Sequence, residues 1–122
     1  MPSTERQHLG RRGETLAAEH FERLGYEVLA RNHRTRFGEL DLVLCDGRAL
    51  VFCEVKTRRL GSGAPWDTLD EAKRAQVRRM ARAWLSEVRD RPHCPELRFD
   101  AIGVTIDARG QLVRLDHEEA AF

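Results

Sequence analysis

No apolar segment occupies the N-terminal stretch "MPSTERQHLGRRGE", and no run elsewhere in the 122 residues is long enough to cross a bilayer. The expectation is therefore no signal peptide, no membrane partner and a cytoplasmic location. Cysteine is scarce: Cys45, Cys53 and Cys94 show no paired spacing. Two of them fall within expected strands, where cysteine behaves as a small buried hydrophobe. This points to a reducing compartment and against a disulfide framework. An excess of one charge sign is missing as well. With 21 Lys+Arg against 20 Asp+Glu the formal net charge is +1, so the chain as a whole carries no electrostatic signature of nucleic-acid binding. Internal repeats and low-complexity tracts are also absent.

What is there suits one globular domain over residues 1–122, with 41% hydrophobic and 34% charged residues. Residues 117–122 are expected to be disordered. Charge is unevenly spread: arginines crowd Arg74 to Arg91, and the C-terminal "DHEEAAF" is acidic. A first helix runs to about Leu24, where Gly25 stops it; its start is blurred by Gly10 and Gly13. "YEVLARN" (Tyr26 to Asn32) reads as a strand, and "GELDLVLCDGRALVFCEVKTR" (Gly38 to Arg58) as a hairpin. "RLGSGAPWD" (Arg59 to Asp67) is a loop. Thr68 and Glu71 have capping-box spacing for a second helix reaching about Arg89. "LRFDAIGVTID" and "QLVRLD" form a second hairpin. The order is α-β-β-β-α-β-β.

Asp46-Gly47 is a strong two-residue turn signal. Counted outward from it, Cys45 pairs with Arg48, Val43 with Leu50, Asp41 with Phe52 and Glu39 with Glu54. Alternation along each strand then sends Glu39, Asp41, Glu54 and Lys56 to one face, away from the turn. Leu40, Leu42, Leu44, Val51, Cys53 and Val55 take the other. Asp41 and Glu54 become diagonal neighbours, with Cα atoms roughly 7–8 Å apart. Like charges so close destabilise a sheet, and partly buried carboxylates resist ionisation. A divalent cation relieves both problems, and oxygen-only ligands point to Mg²⁺ or Mn²⁺. The plainer reading is a solvated face on which Lys56 bridges Glu39 and Glu54. The wholly apolar opposite face argues instead for a sheet covered on both sides.

Each helix adds a charge to its buried stripe. Glu14 shares one with Ala17, Ala18, Phe21 and Leu24, and Lys73 shares another with Val77, Met80, Trp84 and Val88. Singly, a dipole-favoured glutamate and a snorkelling lysine account for them equally well. With the sheet cluster they outline one polar pocket.

Asp41 followed by Glu54-Val55-Lys56 resembles the D…ExK signature of the PD-(D/E)XK nuclease superfamily. The ordered set "GRRGETLAAEHFERLGYEVLARNHRTRFGELDLV", "VFCEVKTR", a helix bearing Lys73 and "RFDAIGV" resembles the YraN-like family of uncharacterised bacterial proteins, over about Gly10 to Val104. That family is similar in its core to archaeal Holliday junction resolvases. The resemblance implies a restriction-endonuclease-like α/β core, a mixed sheet of about five strands flanked by helices. It implies a metal-dependent endonuclease acting on branched or structured DNA, with DNA favoured over RNA, and a homodimer. Asp41 and Glu54 would be metal ligands, joined by the Val55 carbonyl, with Lys56 as catalytic lysine and Glu14 matching a first-helix glutamate. Asp100 matches a family motif, and a structural salt bridge explains it equally well. The RecB-type motif of glutamine followed four residues later by tyrosine is absent, since Met80 follows Gln76. Arg36, Arg58 and Arg59 near the hairpin mouth, with Lys73, are the expected phosphate contacts; Trp66 is a further candidate for stacking on a base. The rival readings are a catalytically inactive nucleic-acid-binding or assembly module of the same fold, and a structural domain whose charges pair with one another.

Overall fold

A computed structural model describes residues 4–62 and 69–122. The elements follow the expected order: α1 (Glu5–Arg23), β1 (Glu27–Thr35), β2 (Gly38–Cys45), β3 (Ala49–Arg59), α2 (Glu71–Glu87), β4 (Glu96–Ile106) and β5 (Leu112–Glu118). The start of α1, blurred in the sequence, is set by a capping box. The Thr4 hydroxyl accepts the Gln7 N–H at 3.1 Å, and the Gln7 side chain accepts the Thr4 N–H at 2.8 Å. Leu24 caps the other end, and Gly25 follows at φ +92°, where a side chain would be strained. The cap of α2 is Asp70, whose carboxylate accepts the Lys73 N–H at 2.8 Å, and not the expected Thr68. Aspartate two residues on competes for the same role, and the helix starts after it. Thr68 and Trp66 lie outside the described residues.

The five strands form one mixed sheet in the order β1-β2-β3-β4-β5. Only β3 and β4 run parallel, joined through α2; the other pairs are antiparallel. This is the arrangement expected of a restriction-endonuclease-like core. Apolar side chains cover both faces. Leu16, Ala17 and Phe21 of α1 pack on Leu42, Leu44, Val51, Cys53, Ile102 and Val104. Val77, Met80 and Trp84 of α2 pack on Val43, Leu50 and Phe52. Both faces of the β2–β3 hairpin are therefore removed from water, so any charge there must be compensated.

The hairpin register differs from the two-residue count. Cys45 pairs with Leu50, Leu44 with Val51, Val43 with Phe52 and Leu42 with Cys53. The Asp46 carboxylate widens the turn by accepting the Arg48 and Ala49 N–H groups at 2.9 and 2.8 Å. A shift of two positions leaves every side chain of β3 on its expected face. Alternation in β2 does break, however. Leu40, expected beside Leu42 and Leu44, packs with Val43 and Phe52 on the α2 side. The break falls at Asp41. In the neighbouring strand Arg31 pairs with Leu42 and His33 with Leu40, so Asn32 stands across from Asp41, and its φ is +51°. Asparagine is among the few residues that adopt this left-handed conformation readily.

Two further expectations are corrected. Cys45 and Cys94 form a disulfide across a separation of 49 residues, while Cys53 is free and buried. Spacing could not reveal the bond. It arises because Glu96, two residues after Cys94, starts β4 beside Ala49, just past the turn that follows Cys45. The C-terminal residues, expected to be disordered, pack back on the sheet. Ala121 N–H donates to the Phe99 carbonyl at 2.8 Å, and the rings of Phe99 and Phe122 lie 5.3 Å apart. Among the described residues no helix is long and apolar enough to cross a membrane.

Candidate active site

The site lies where β2 parts from β3. The β2–β3 ladder ends at Leu42–Cys53. One step further, Asp41 takes the partner's backbone into its own side chain: the Val55 N–H donates to Asp41 Oδ2 at 2.8 Å. The expected ExK strand and the expected aspartate are thus stitched together by the Asp41 side chain itself. Extending the register by one step sets Asp41 level with Glu54, closer than the diagonal relation read from the sequence.

Glu14 is delivered from α1. Gly13, immediately before it, lets the helix lie directly on β3: a Cβ added there would sit 1.7 Å from the Thr57 hydroxyl oxygen. With Gly13 seated, Glu14 is only 7% exposed and joins Glu39 and Asp41. One carboxylate oxygen from each of the three lies within 4.8 Å of the others. Asn32 supports the group. With its amide nitrogen turned toward its acidic neighbours, the orientation they dictate, it donates to Glu39 Oε1 at 2.9 Å and to the two Glu14 oxygens at 2.9 and 2.6 Å.

Burial and mutual repulsion show in the acidities. Asp41 is pushed up to about 8, first by burial, then by the charge of Glu54, with Glu14 adding to it; the Val55 N–H pulls the other way. Glu14 is raised too, by burial first, then by Glu39, against a hydrogen bond with Asp41 that lowers it. These carboxyl groups are close enough to share protons, and they cannot all ionise without a compensating cation.

Glu54, 5% exposed, is the link to the other side of the sheet. It ion-pairs with Lys73 of α2 at 3.2 Å. Glu54 and Lys56 also line a cavity of about 390 Å³ with Arg74, Ala101 and Gly103. The structure therefore brings together Glu14, Asp41 and Glu54, adds Glu39 as a full member, and sets Lys56 and Lys73 beside Glu54. Asn32 was not anticipated; the only sequence trace is its residue type at a position needing positive φ. The expected phosphate contacts are dispersed. Arg59 pairs with Glu5 at 3.2 Å, Arg58 donates to the Thr105 hydroxyl at 3.3 Å, and Arg36 lies over the Phe37 ring, 4.7 Å from its centroid.

Asp100 stands apart from this cluster. Fully buried, it receives both Arg98 nitrogens at 2.8 Å, His117 Nε2 at 2.8 Å and the Ala120 N–H at 3.1 Å. Arg98 also donates to the Tyr26 hydroxyl at 2.8 Å, and His117 Nδ1 meets His20 Nε2 at 3.0 Å. The "RFD" motif is accounted for as a structural clamp that fastens the C-terminus to β4 and α1.

The model of an uncharacterised protein family, UPF0102, matches residues 13–104. A UPF0102 protein of Frankia casuarinae is 48% identical over 118 residues, covering 93% of this chain and 95% of that one. One from Nocardia farcinica is 43% identical over 119 residues, covering 97% and 91%. One from Geobacter metallireducens is 40% identical over 121 residues, covering 98% and 96%.

Proposed function

The chain belongs to the UPF0102 family, uncharacterised in function, and we propose that it is a metal-dependent nuclease that hydrolyses phosphodiesters of structured DNA. One observation carries the reading: carboxylates from a helix and two strands converge around Asp41, with Lys56 two residues beyond the glutamate that adjoins it. The donor set fits a hard divalent ion. Its side-chain donors are all oxygen, and the raised pKa of Asp41 marks a place short of positive charge.

Asp41, Glu54 and the Val55 carbonyl would hold Mg²⁺ or Mn²⁺, with Glu14 and Glu39 next in line. A bound divalent ion supplies a water of lowered pKa and polarises the phosphoryl oxygen. The protein's own contribution is positional. The Val55 N–H fixes the Asp41 carboxylate, Asn32 fixes Glu14 and Glu39, and Lys73 holds Glu54. Lys56, which lines the cavity with Glu54, would supply an ammonium to the negative charge that builds in the transition state. The test is nicking of branched and flapped DNA in Mg²⁺ or Mn²⁺. Asp41→Asn and Lys56→Ala should each lose at least about a hundredfold in rate. Cleavage at the wild-type rate by either variant sinks the assignment.

One observation favours a second reading. The Glu54–Lys73 ion pair gives Glu54 a partner without any metal, as in a binding module that has kept the fold and lost the chemistry. That reading expects salt-sensitive DNA binding, no cleavage, and no thermal shift with Mn²⁺ in wild type or Asp41→Asn.

A further inference from the structure

A groove of about 510 Å³ opens between the β1–β2 turn and α2, lined by Arg36, Phe37, Arg79, Arg82, Ser86 and Glu87. Its walls are held in fixed relation. Gln76 of α2 donates to the Phe37 carbonyl at 2.7 Å. Gly38, next in line at φ +133°, leaves no room for a side chain: an added Cβ would lie 2.7 Å from Gln76 Nε2. Arg36, Arg79 and Arg82 are exposed, and none of the three forms an ion pair among the described residues. Most other arginines with a nearby acid use it: Arg34 meets Glu39, Arg48 meets Glu96, Arg59 meets Glu5, Arg98 meets Asp100 and Arg114 meets Asp116. The one acid at the groove, Glu87, faces His33 at 3.5 Å. Arg36 is steadied by the Phe37 ring beneath it.

We propose that this groove is a phosphate track, in which Arg36, Arg79 and Arg82 bind the sugar–phosphate backbone of a nucleic-acid strand. Three uncompensated guanidinium groups on two elements suit a polyanion better than a single phosphate, because each fork can take a separate phosphodiester. The location gives the track a direction. Along α2, Arg79 and Arg82 lie roughly 9 and 14 Å beyond Lys73 at 1.5 Å per residue. Lys73 is the residue paired with Glu54. A strand leaving the acidic site along this helix would reach the groove after about three to four nucleotides, at ~3.4 Å of rise per nucleotide. That direction rests on the nuclease reading; the binding itself does not. Of the arginines Arg74, Arg78, Arg82 and Arg89, only Arg82 lines the groove.

The experiment is fluorescence anisotropy with the full chain and a short fluorescein-labelled single-stranded DNA, in metal-free buffer with EDTA, over a range of salt. Wild type should bind. The triple variant Arg36→Ala, Arg79→Ala, Arg82→Ala should bind about tenfold or more weakly at low salt. Its slope of log affinity against log salt should be shallower by about 2 to 3, near the 0.7–0.9 expected for each lost phosphate contact. A charge-matched control, Arg6→Ala, Arg23→Ala, Arg109→Ala, changes exposed arginines outside the groove and should keep the wild-type slope. Unchanged melting temperatures exclude misfolding as the cause. A groove variant with the wild-type slope, a control that loses as much, or a wild type that does not bind overturns the proposal. Wild-type protein that binds through the groove yet never cuts in Mn²⁺ defeats the hydrolytic reading and leaves the groove intact.

Discussion

Asp41 carries the largest consequence of any one residue. An ordinary aspartate titrates near 3.8; in the fold Asp41 is pushed up to about 8, by burial first and the charge of Glu54 second. Between those two values the metal-free folded protein holds a proton that the unfolded chain has released. Folding stability therefore falls as pH rises from about 4 to about 8, and the loss is complete above 8. Asp41→Asn cannot ionise and should flatten that slope. Thermal denaturation in EDTA across the window reads it directly, and a slope equal in wild type and variant contradicts the buried charge. On the proposed metal reading, Mn²⁺ would displace the same proton, so Mn²⁺ affinity should rise with pH across the window in wild type and be weak throughout in the variant. Asp100 behaves in the opposite sense. Burial works to raise it, but hydrogen bonds from His117, Arg98 and the Ala120 N–H outweigh burial and hold it below its ordinary 3.8. Its contribution to stability is present above pH 3.8 and disappears as pH falls through the lower folded value. Asp100→Asn should cost about 3 kcal/mol at neutral pH, since it leaves Arg98 and His117 without their anion; on the proposed nuclease reading, DNA cleavage by the folded fraction should persist. Loss of cleavage in protein that is still folded would move Asp100 from clamp to catalyst.

At the scale of elements, the site depends on how closely two helices approach the sheet. Gly13 sits inside α1, where glycine weakens a helix by about 1 kcal/mol relative to alanine. Propensity is overridden because even a methyl group there collides with Thr57 of β3. Gly13→Ala should therefore destabilise the protein by about 1–3 kcal/mol despite its better helix propensity. It should also reduce the thermal shift produced by Mn²⁺, because the displaced helix carries Glu14. Urea titrations with and without Mn²⁺ separate the two effects. A more stable variant with an undiminished shift means that the close contact is not needed. The same logic explains Gly38, which lets α2 approach through Gln76 and Met80. It explains the break in β2 as well. A regular strand would aim Asp41 at α2, whereas the irregularity across from Asn32 lets Asp41 reach Glu14 of α1 while it still adjoins Glu54.

In the whole molecule, two long-range ties close the fold around the sheet. The Cys45–Cys94 disulfide spans 49 residues, for which loop-closure entropy alone amounts to about 4 kcal/mol. Reductant should lower the melting temperature by several degrees, and Cys94→Ser should melt at the reduced value whether or not reductant is present. Equal melting of oxidised and reduced wild type would show that the tie contributes nothing. Cys53 should stay unreactive toward thiol reagents until unfolding, since burial first, and then the nearby Asp100, push the pKa of its thiol well above the ordinary value. The second tie is the network joining His20 of α1, His117 of β5 and Asp100 of β4. Burial, then the proximity of His117, holds His20 below its ordinary 6.5. Acidification from pH 7 through 6 forces a proton onto a histidine that the fold keeps neutral, so this contribution to stability declines with falling pH.

Much of this protein was determined by local chemistry that the chain displays in order. Alternation, turn residues and helix stops yielded the seven elements. The spacing of Asp41, Glu54 and Lys56, with Glu14 on a buried stripe, points to the acidic cluster, because period and side-chain chemistry are local properties. What only the tertiary structure decided lies between residues far apart in the chain. Two backbone N–H groups, of Arg48 and Ala49, donating to the Asp46 carboxylate set the hairpin register against the two-residue count. A left-handed asparagine across the strand made Glu39 a full member of the cluster. The parallel pairing of β3 and β4 brought Cys94 to Cys45. The packing of the β1–β2 turn on α2 sorted the arginines, leaving Arg36, Arg79 and Arg82 together and, among the described residues, without an ion pair. No spacing in a sequence encodes such encounters, because proximity across a sheet is set by packing and by how the strands pair, and neither is a property of any one segment.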